Sequence, residues 1–107
     1  MFVKSKDAQS VKLDGSTSRK ILARGGSLMT VEVEFEKGGV GELHSHPHEQ
    51  ISYVIQGSFL YIIEDSEKIL IPGDSCYIPS GALHGVTALQ DGKLVDVFTP
   101  QREDFLK

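Results

Sequence analysis

The clearest pattern along the chain is a two-residue alternation from Met29 to Glu36, where Met29, Val31, Val33 and Phe35 alternate with Thr30, Glu32, Glu34 and Glu36. A period of two predicts a strand with one face on a core and the other in water. Weaker stretches of the same character lie on both sides. Residues 1–15 read as a polar arm or first weak strand, placed at a sheet edge or swapped onto another copy, and turning at Asp14-Gly15. Arg19 to Ala23 reads as a short strand broken by Gly25-Gly26. Ile51 to Gln56 and Ser58 to Glu64, rich in β-branched and aromatic residues, flank Gly57 and predict a hairpin. After a turn at Asp65 to Glu67, the strands Lys68 to Ile71 and Ser75 to Ile78 run into Pro72-Gly73-Asp74 and Pro79-Ser80-Gly81. In such turns proline presets φ and glycine relaxes it. A strand from His84 to about Gln90, a hairpin turn at Asp91-Gly92 and a last strand from Lys93 to Phe98 complete the pattern.

About nine short strands and no amphipathic helix predict an all-β, antiparallel sandwich or barrel and exclude a parallel α/β fold. Phe59, Tyr61, Tyr53 and Tyr77 are expected in the core. The last strand is apolar on both faces, with Leu94 and Phe98 on one and Val95 and Val97 on the other. Protein on both sides, and hence a homodimer, is the expectation.

Composition narrows the function classes. At 107 residues the chain is expected to be one domain with a single core. A net charge of −4 without a basic run argues against nucleic acid as a partner. The N-terminus has no apolar leader, and no stretch approaches the ~20 apolar residues that cross a bilayer, so a cytoplasmic protein without a membrane partner is expected. The single cysteine, Cys76, lies in an apolar run and reads as a small core residue.

Candidate chemistry concentrates between Gly38 and Gly57, where His44, His46 and His48 occupy alternate positions. In an extended strand such residues share a face and can converge on a metal ion. A bare His-x-His also occurs by accident in solvated loops, so the neighbours matter. Gln50 continues the alternation and Glu49 opposes it, which makes Gln50 the better oxygen ligand. Pro47 can introduce a bulge that resets the alternation, which leaves His48 as a substitute ligand.

The run from Gly38 through His44-Ser-His46 and Gln50 to Gly57 resembles the first motif of the cupin superfamily, and Gly73-Asp-Ser-Cys-Tyr-Ile-Pro79-Ser-Gly81-Ala-Leu-His84 resembles the second. The resemblance implies a double-stranded β-helix, a small jelly-roll barrel. It also implies that His44, His46, the residue at the motif's acid position and His84 hold one metal ion. Two departures are Gln50 in place of glutamate and Ala88 in place of the second motif's terminal asparagine.

A narrower resemblance runs from about Arg19 to Leu106. His-Ser-His-Pro-His-Glu-Gln-Ile, Leu94-Val-Asp-Val-Phe98 and the ending Thr-Pro-Gln-Arg-Glu-Asp-Phe-Leu are similar to the KdgF family of small cupins, which linearise unsaturated uronates in pectin degradation. In that family a glutamine is the fourth ligand, in agreement with Gln50. The family's acidic, aromatic and arginine site positions fall on Asp96, Phe98 and Arg102.

Three imidazoles and an amide oxygen are neutral, so a bound dication would keep its charge and favour anions. Such ligands suit Ni, Zn, Fe or Cu and leave Mn open. Asp96 shares a parity with Phe98; on a barrel-lining face it would be a desolvated carboxylate with a raised pKa, suited to moving protons, although an edge-strand surface position fits it too. Arg102 offers a planar fork for a carboxylate, or for its neighbours Glu103 and Asp104. The function expected is ring opening of a 4,5-unsaturated uronate, a small anionic carbohydrate. The alternatives are a cupin dioxygenase with a redox metal, an isomerase acting on another small anion, and a non-catalytic sugar-binding sensor.

Overall fold

In the computed structural model, which describes residues 1–107, the alternating stretch becomes β3 (Leu28–Phe35), with Met29, Val31, Val33 and Phe35 buried. The other strands are β1 (Ser10–Lys12), β2 (Thr17–Gly25), β4 (Val40–His44), β5 (Glu49–Gln56), β6 (Phe59–Ile63), β7 (Ser66–Leu70), β8 (Ser75–Ile78), β9 (His84–Ala88) and β10 (Gly92–Thr99). Helical structure is confined to 3₁₀ turns at Ser5–Asp7 and Glu103–Leu106, and no helix is long and apolar enough to cross a membrane. Six strands form one sheet in the order β1-β2-β3-β10-β5-β8, four form a second in the order β4-β9-β6-β7, and every pairing is antiparallel. This is the jelly-roll arrangement that the motifs imply. The N-terminal arm closes the larger sheet as an edge strand, with Ser10 opposite Lys20.

The inner face of the larger sheet changes character along its strands. Cross-strand neighbours share a face, so the register gives rows: Val33, Leu94 and Val54; then Val31, Asp96 and Ser52; then Met29, Phe98, Gln50 and Ile78. The first row continues into Phe35, which meets Phe59 of the smaller sheet edge-on at 5.2 Å between ring centres. Burial of each such side chain contributes about 1.5–3 kcal/mol. On β3, β10, β5 and β8 polar groups enter only in the second and third rows, so that end of the sheet is available for chemistry.

Two expected hairpins are not hairpins. β5 and β6 meet at Gly57 but belong to different sheets, as do β9 and β10 on either side of Asp91-Gly92. Both are corners where the chain crosses between sheets, and they sit against each other. A Cβ on Gly57 would lie 2.5 Å from the Asp91 carbonyl oxygen, and one on Gly92 would lie 2.5 Å from that of Gln56. The glycines permit close crossing of two backbones, a use that a hairpin signal does not distinguish. The true hairpin joins β6 and β7 through Glu64-Asp65, one residue earlier than expected, with Glu64 at φ 54. β2 begins two residues before the expected start because Thr17 and Ser18 pair with Phe35 and Glu34.

Phe59 and Tyr61 lie in the core as expected, but Tyr53 and Tyr77 are exposed. The reason is parity. Gln50, Ser52 and Val54 face inward, so Ile51, Tyr53 and Ile55 face outward, and Tyr77 lies opposite Ile51.

Candidate metal centre

β4 and β9 pair with a register shift between Gly41 and His44 that sets His44 opposite His84. The shift brings backbone against backbone: a Cβ on Gly85 would meet the Gly41 carbonyl oxygen at 2.9 Å. The two imidazoles then lie with ring centres 4.4 Å apart. His46 comes from the loop between β4 and β5. That loop is held by the turn after β8, where the Gly81 N–H donates to the His46 carbonyl at 2.8 Å and the Ser80 hydroxyl donates to the Pro47 carbonyl. Gly81 has φ +79, which glycine adopts without strain. The turn of one sequence motif thus positions the histidine loop of the other. One ligand atom from each of His44, His46 and His84 lies within 4.8 Å of the others.

Hydrogen bonds set the protonation of these rings. Nδ1 of His44 donates to the Glu42 carbonyl at 2.7 Å, that of His46 to the His48 carbonyl at 3.2 Å and that of His84 to the Ala82 carbonyl at 2.9 Å. With the proton on Nδ1, each Nε2 presents a lone pair. His84 Nε2 is buried without a partner. His46 Nε2 lies 3.0 Å from Gln50 Oε1, where two acceptors repel unless a cation lies between them. A second proton on His46 does not supply that cation at neutral pH, because burial, and then the charges of Arg102 and His84, push its pKa down to about 4. Three imidazole nitrogens and an amide oxygen therefore converge as acceptors without a donor, and this set fits a divalent metal ion.

The parity argument holds across Pro47. Gln50 is buried beside His46, whereas Glu49 faces outward and accepts a hydrogen bond from the Tyr77 hydroxyl at 2.6 Å. His48 contributes its carbonyl to the site; its ring lies 5.3 Å from that of His46 and outside the three-histidine cluster.

His44, Gln50 and His84 open onto a cavity of about 280 Å³ that Asp96, Phe98 and Arg102 also line. Asp96 Oδ1 is buried without a hydrogen-bond partner. Burial pushes the carboxyl up to about 6, against the opposing pull of Ser52, Gln50 and the Arg102 charge. Phe98 packs edge-on to His46 at 5.8 Å and to Phe105 at 5.9 Å. Arg102 lies over the Phe105 ring at 4.2 Å and donates from Nε and Nη2 to the two oxygens of Asp104, at 3.1 and 2.9 Å. It is therefore both a cavity residue and the partner of its own tail. Arg19 of β2 also lines the cavity, with its guanidinium 3.8 Å from the centre of the Phe105 ring. Sequence reading missed it, although its parity with Thr17 and Ile21 was available.

The comparisons with known proteins agree with this geometry. Residues 31–98 match the family described as Cupin domain. The chain is 42% identical over 97 residues to the pectin degradation protein KdgF of Dickeya dadantii, covering 89% of this chain and 88% of that protein. The structure of KdgF from a Halomonas species superposes with a TM-score of 0.94 at 36% identity, covering 98% of this chain and 97% of that one. An RmlC-like cupin from Shewanella frigidimarina also gives 0.94 at 36% identity, over 97% and 94% of the two chains. The chain belongs to the cupin family and, within it, to the group of small cupins that includes the pectin degradation protein KdgF.

Proposed function

We propose that this protein is an enzyme that opens 4,5-unsaturated uronate monosaccharides to their linear keto form. The observation that carries the reading is the convergence on one cavity of an acceptor-only metal site and a buried carboxyl with one oxygen left without a partner. Kinship with KdgF supplies the substrate class.

The reaction is an isomerisation with a simple balance. A proton leaves the anomeric hydroxyl, the bond from the anomeric carbon to the ring oxygen breaks, and its electrons pass to that oxygen as an enolate. A proton added at carbon four then gives the ketone. A divalent ion on His44, His46, Gln50 and His84 would supply Lewis-acid stabilisation of the negative charge that develops on substrate oxygens. Asp96 suits the proton transfers, since a carboxyl at about 6 is mostly a base at pH 7 yet gives up a captured proton readily. Phe98 walls the cavity beside His46 and restricts water there. Arg102 adds positive charge that favours an anionic substrate and keeps Asp96 from being raised further.

The test follows loss of the conjugated double-bond absorbance of unsaturated galacturonate and guluronate, against the spontaneous reaction in buffer. Wild type loaded with metal is expected to exceed that background, and metal-free protein to match it. Asp96→Asn is expected to lose a factor of at least about a hundred. Wild-type activity should rise with pH as Asp96 ionises, with its inflection below the value of about 6 set by burial in the metal-free protein, because a bound dication favours the carboxylate. A wild-type rate equal to buffer on both substrates would overturn the reading.

A further inference from the structure

Arg19 is a half-buried charged residue that lines the cavity with no carboxylate in ion-pair contact. Its register neighbour on β3 is Val33, whose neighbour on β10 is Leu94, so the row in which it lies is otherwise apolar. The two ion pairs of the molecule are Lys93 with Glu32 and Arg102 with Asp104, and Arg19 belongs to neither. Burial, and then the charge of Arg102, work against its protonation, and Asp104 only partly compensates. A half-buried guanidinium without a hydrogen-bonded carboxylate favours the arrival of an anion.

The two arginines at the cavity differ in what they can still accept. Arg102 has the Nε–Nη2 edge of its fork filled by Asp104, two residues along the same turn. A substrate carboxylate seeking that bidentate edge would have to displace the internal one. Arg19 is held in place by stacking on Phe105, which leaves its N–H groups uncommitted. It stands two strands from β10, about 10 Å across the sheet, one inward row away from Asp96. An anion there is separate from the oxygens that meet the metal site.

We propose that Arg19 receives the carboxylate of the substrate, so that the cavity holds its ligand at two points, with hydroxyl oxygens at the three-histidine end and a carboxylate at Arg19. The inference rests on the reading of the substrate as a uronate and names what selects uronates over neutral sugars. Arg102 then adds its positive charge to the cavity while also holding Phe105 and the C-terminal turn over it.

The experiment measures equilibrium binding of galacturonate, which carries no double bond to turn over, and of galactose, its neutral counterpart, to the metal-loaded protein. Wild type is expected to prefer galacturonate. Arg19→Gln should weaken galacturonate by about tenfold to a hundredfold, the range for a charge-assisted hydrogen bond, and leave galactose and metal content unchanged. Arg19→Lys, which keeps the charge and loses the fork, should fall between the two. With unsaturated uronate the loss in Arg19→Gln should appear mainly in KM. The proposal is overturned if wild type shows no preference for galacturonate, if both sugars weaken equally, or if the metal is lost with the affinity, since Arg19 would then serve the fold. Binding of galacturonate through Arg19, together with no turnover of unsaturated uronate, would overturn the ring-opening reading alone, and turnover of unsaturated uronate unaffected by Arg19→Gln would overturn the carboxylate assignment alone.

Discussion

Asp96 and His46 are both buried titratable groups, and they move stability with pH in opposite directions. In the folded, metal-free protein the Asp96 carboxyl is pushed up to about 6, against 3.8 for an ordinary aspartate. Between those values the folded state holds a proton that the unfolded chain releases, so the stability due to Asp96 falls as pH rises through that window and is level above it. His46, pushed down to about 4 from 6.5, makes stability rise with pH over much of the same interval. The two masks cancel in the wild-type curve, and a variant separates them. Metal-free Asp96→Asn is expected to match wild type near pH 4 and to be more stable by roughly 2–3 kcal/mol above pH 6.5, as two pK units require. Urea denaturation across that range checks it; a constant difference at every pH would show that the Asp96 carboxyl is not held uncharged by burial. The identity of these residues was legible in the sequence. Their surroundings were not: Asp96 is desolvated because Val31 and Ser52 flank it on neighbouring strands, 65 and 44 residues away in the chain.

Among the elements, the paired corners at Gly57 and Gly92 carry the two sheets past each other. A methyl group on Gly92 would meet the Gln56 carbonyl oxygen at 2.5 Å and the Phe59 ring at 2.9 Å. Neither can yield easily, one being backbone and the other a fully buried side chain. Gly92→Ala is therefore expected to destabilise by roughly 2–4 kcal/mol, more than a surface glycine. Gly15→Ala is the control, since nothing lies within 4 Å of a Cβ there. Equal denaturation midpoints for the two variants would refute the crossing argument. The alternation of β3 and the inward parity of Gln50 were read correctly because period two is a local property. The hairpins at Gly57 and Asp91-Gly92 were misread because the same glycine suits a tight turn and a close crossing.

For the whole molecule, the outer face of the larger sheet carries a cluster of exposed apolar residues. Ile51, Tyr53 and Ile55 of β5 lie exposed beside Val95 and Val97 of β10, with Tyr77 of β8 continuing the patch. A contiguous surface of this kind on a small domain marks an interaction site. We propose this face as the contact of the homodimer expected from Val95 and Val97. Sedimentation is expected to show about twice the monomer mass of 11.7 kDa. Ile51→Glu, at a position with no part in the core, should give the monomer with its metal retained. A wild-type protein that sediments as a monomer would remove the proposal.

The sequence by itself determined the class of fold, the inward and outward faces of β3, and the residue types from which a metal centre and a proton carrier can be made. Each of these follows from local periodicity or from the chemistry of a side chain. The tertiary structure alone decided which strands pair, that the turn at Gly81 fixes the loop of His46, that His44 and His84 meet through a register shift, and that Arg19 is left without a partner while Arg102 is not. Those facts depend on distances between residues far apart in the chain, and a pattern with a period of two residues carries no information about them.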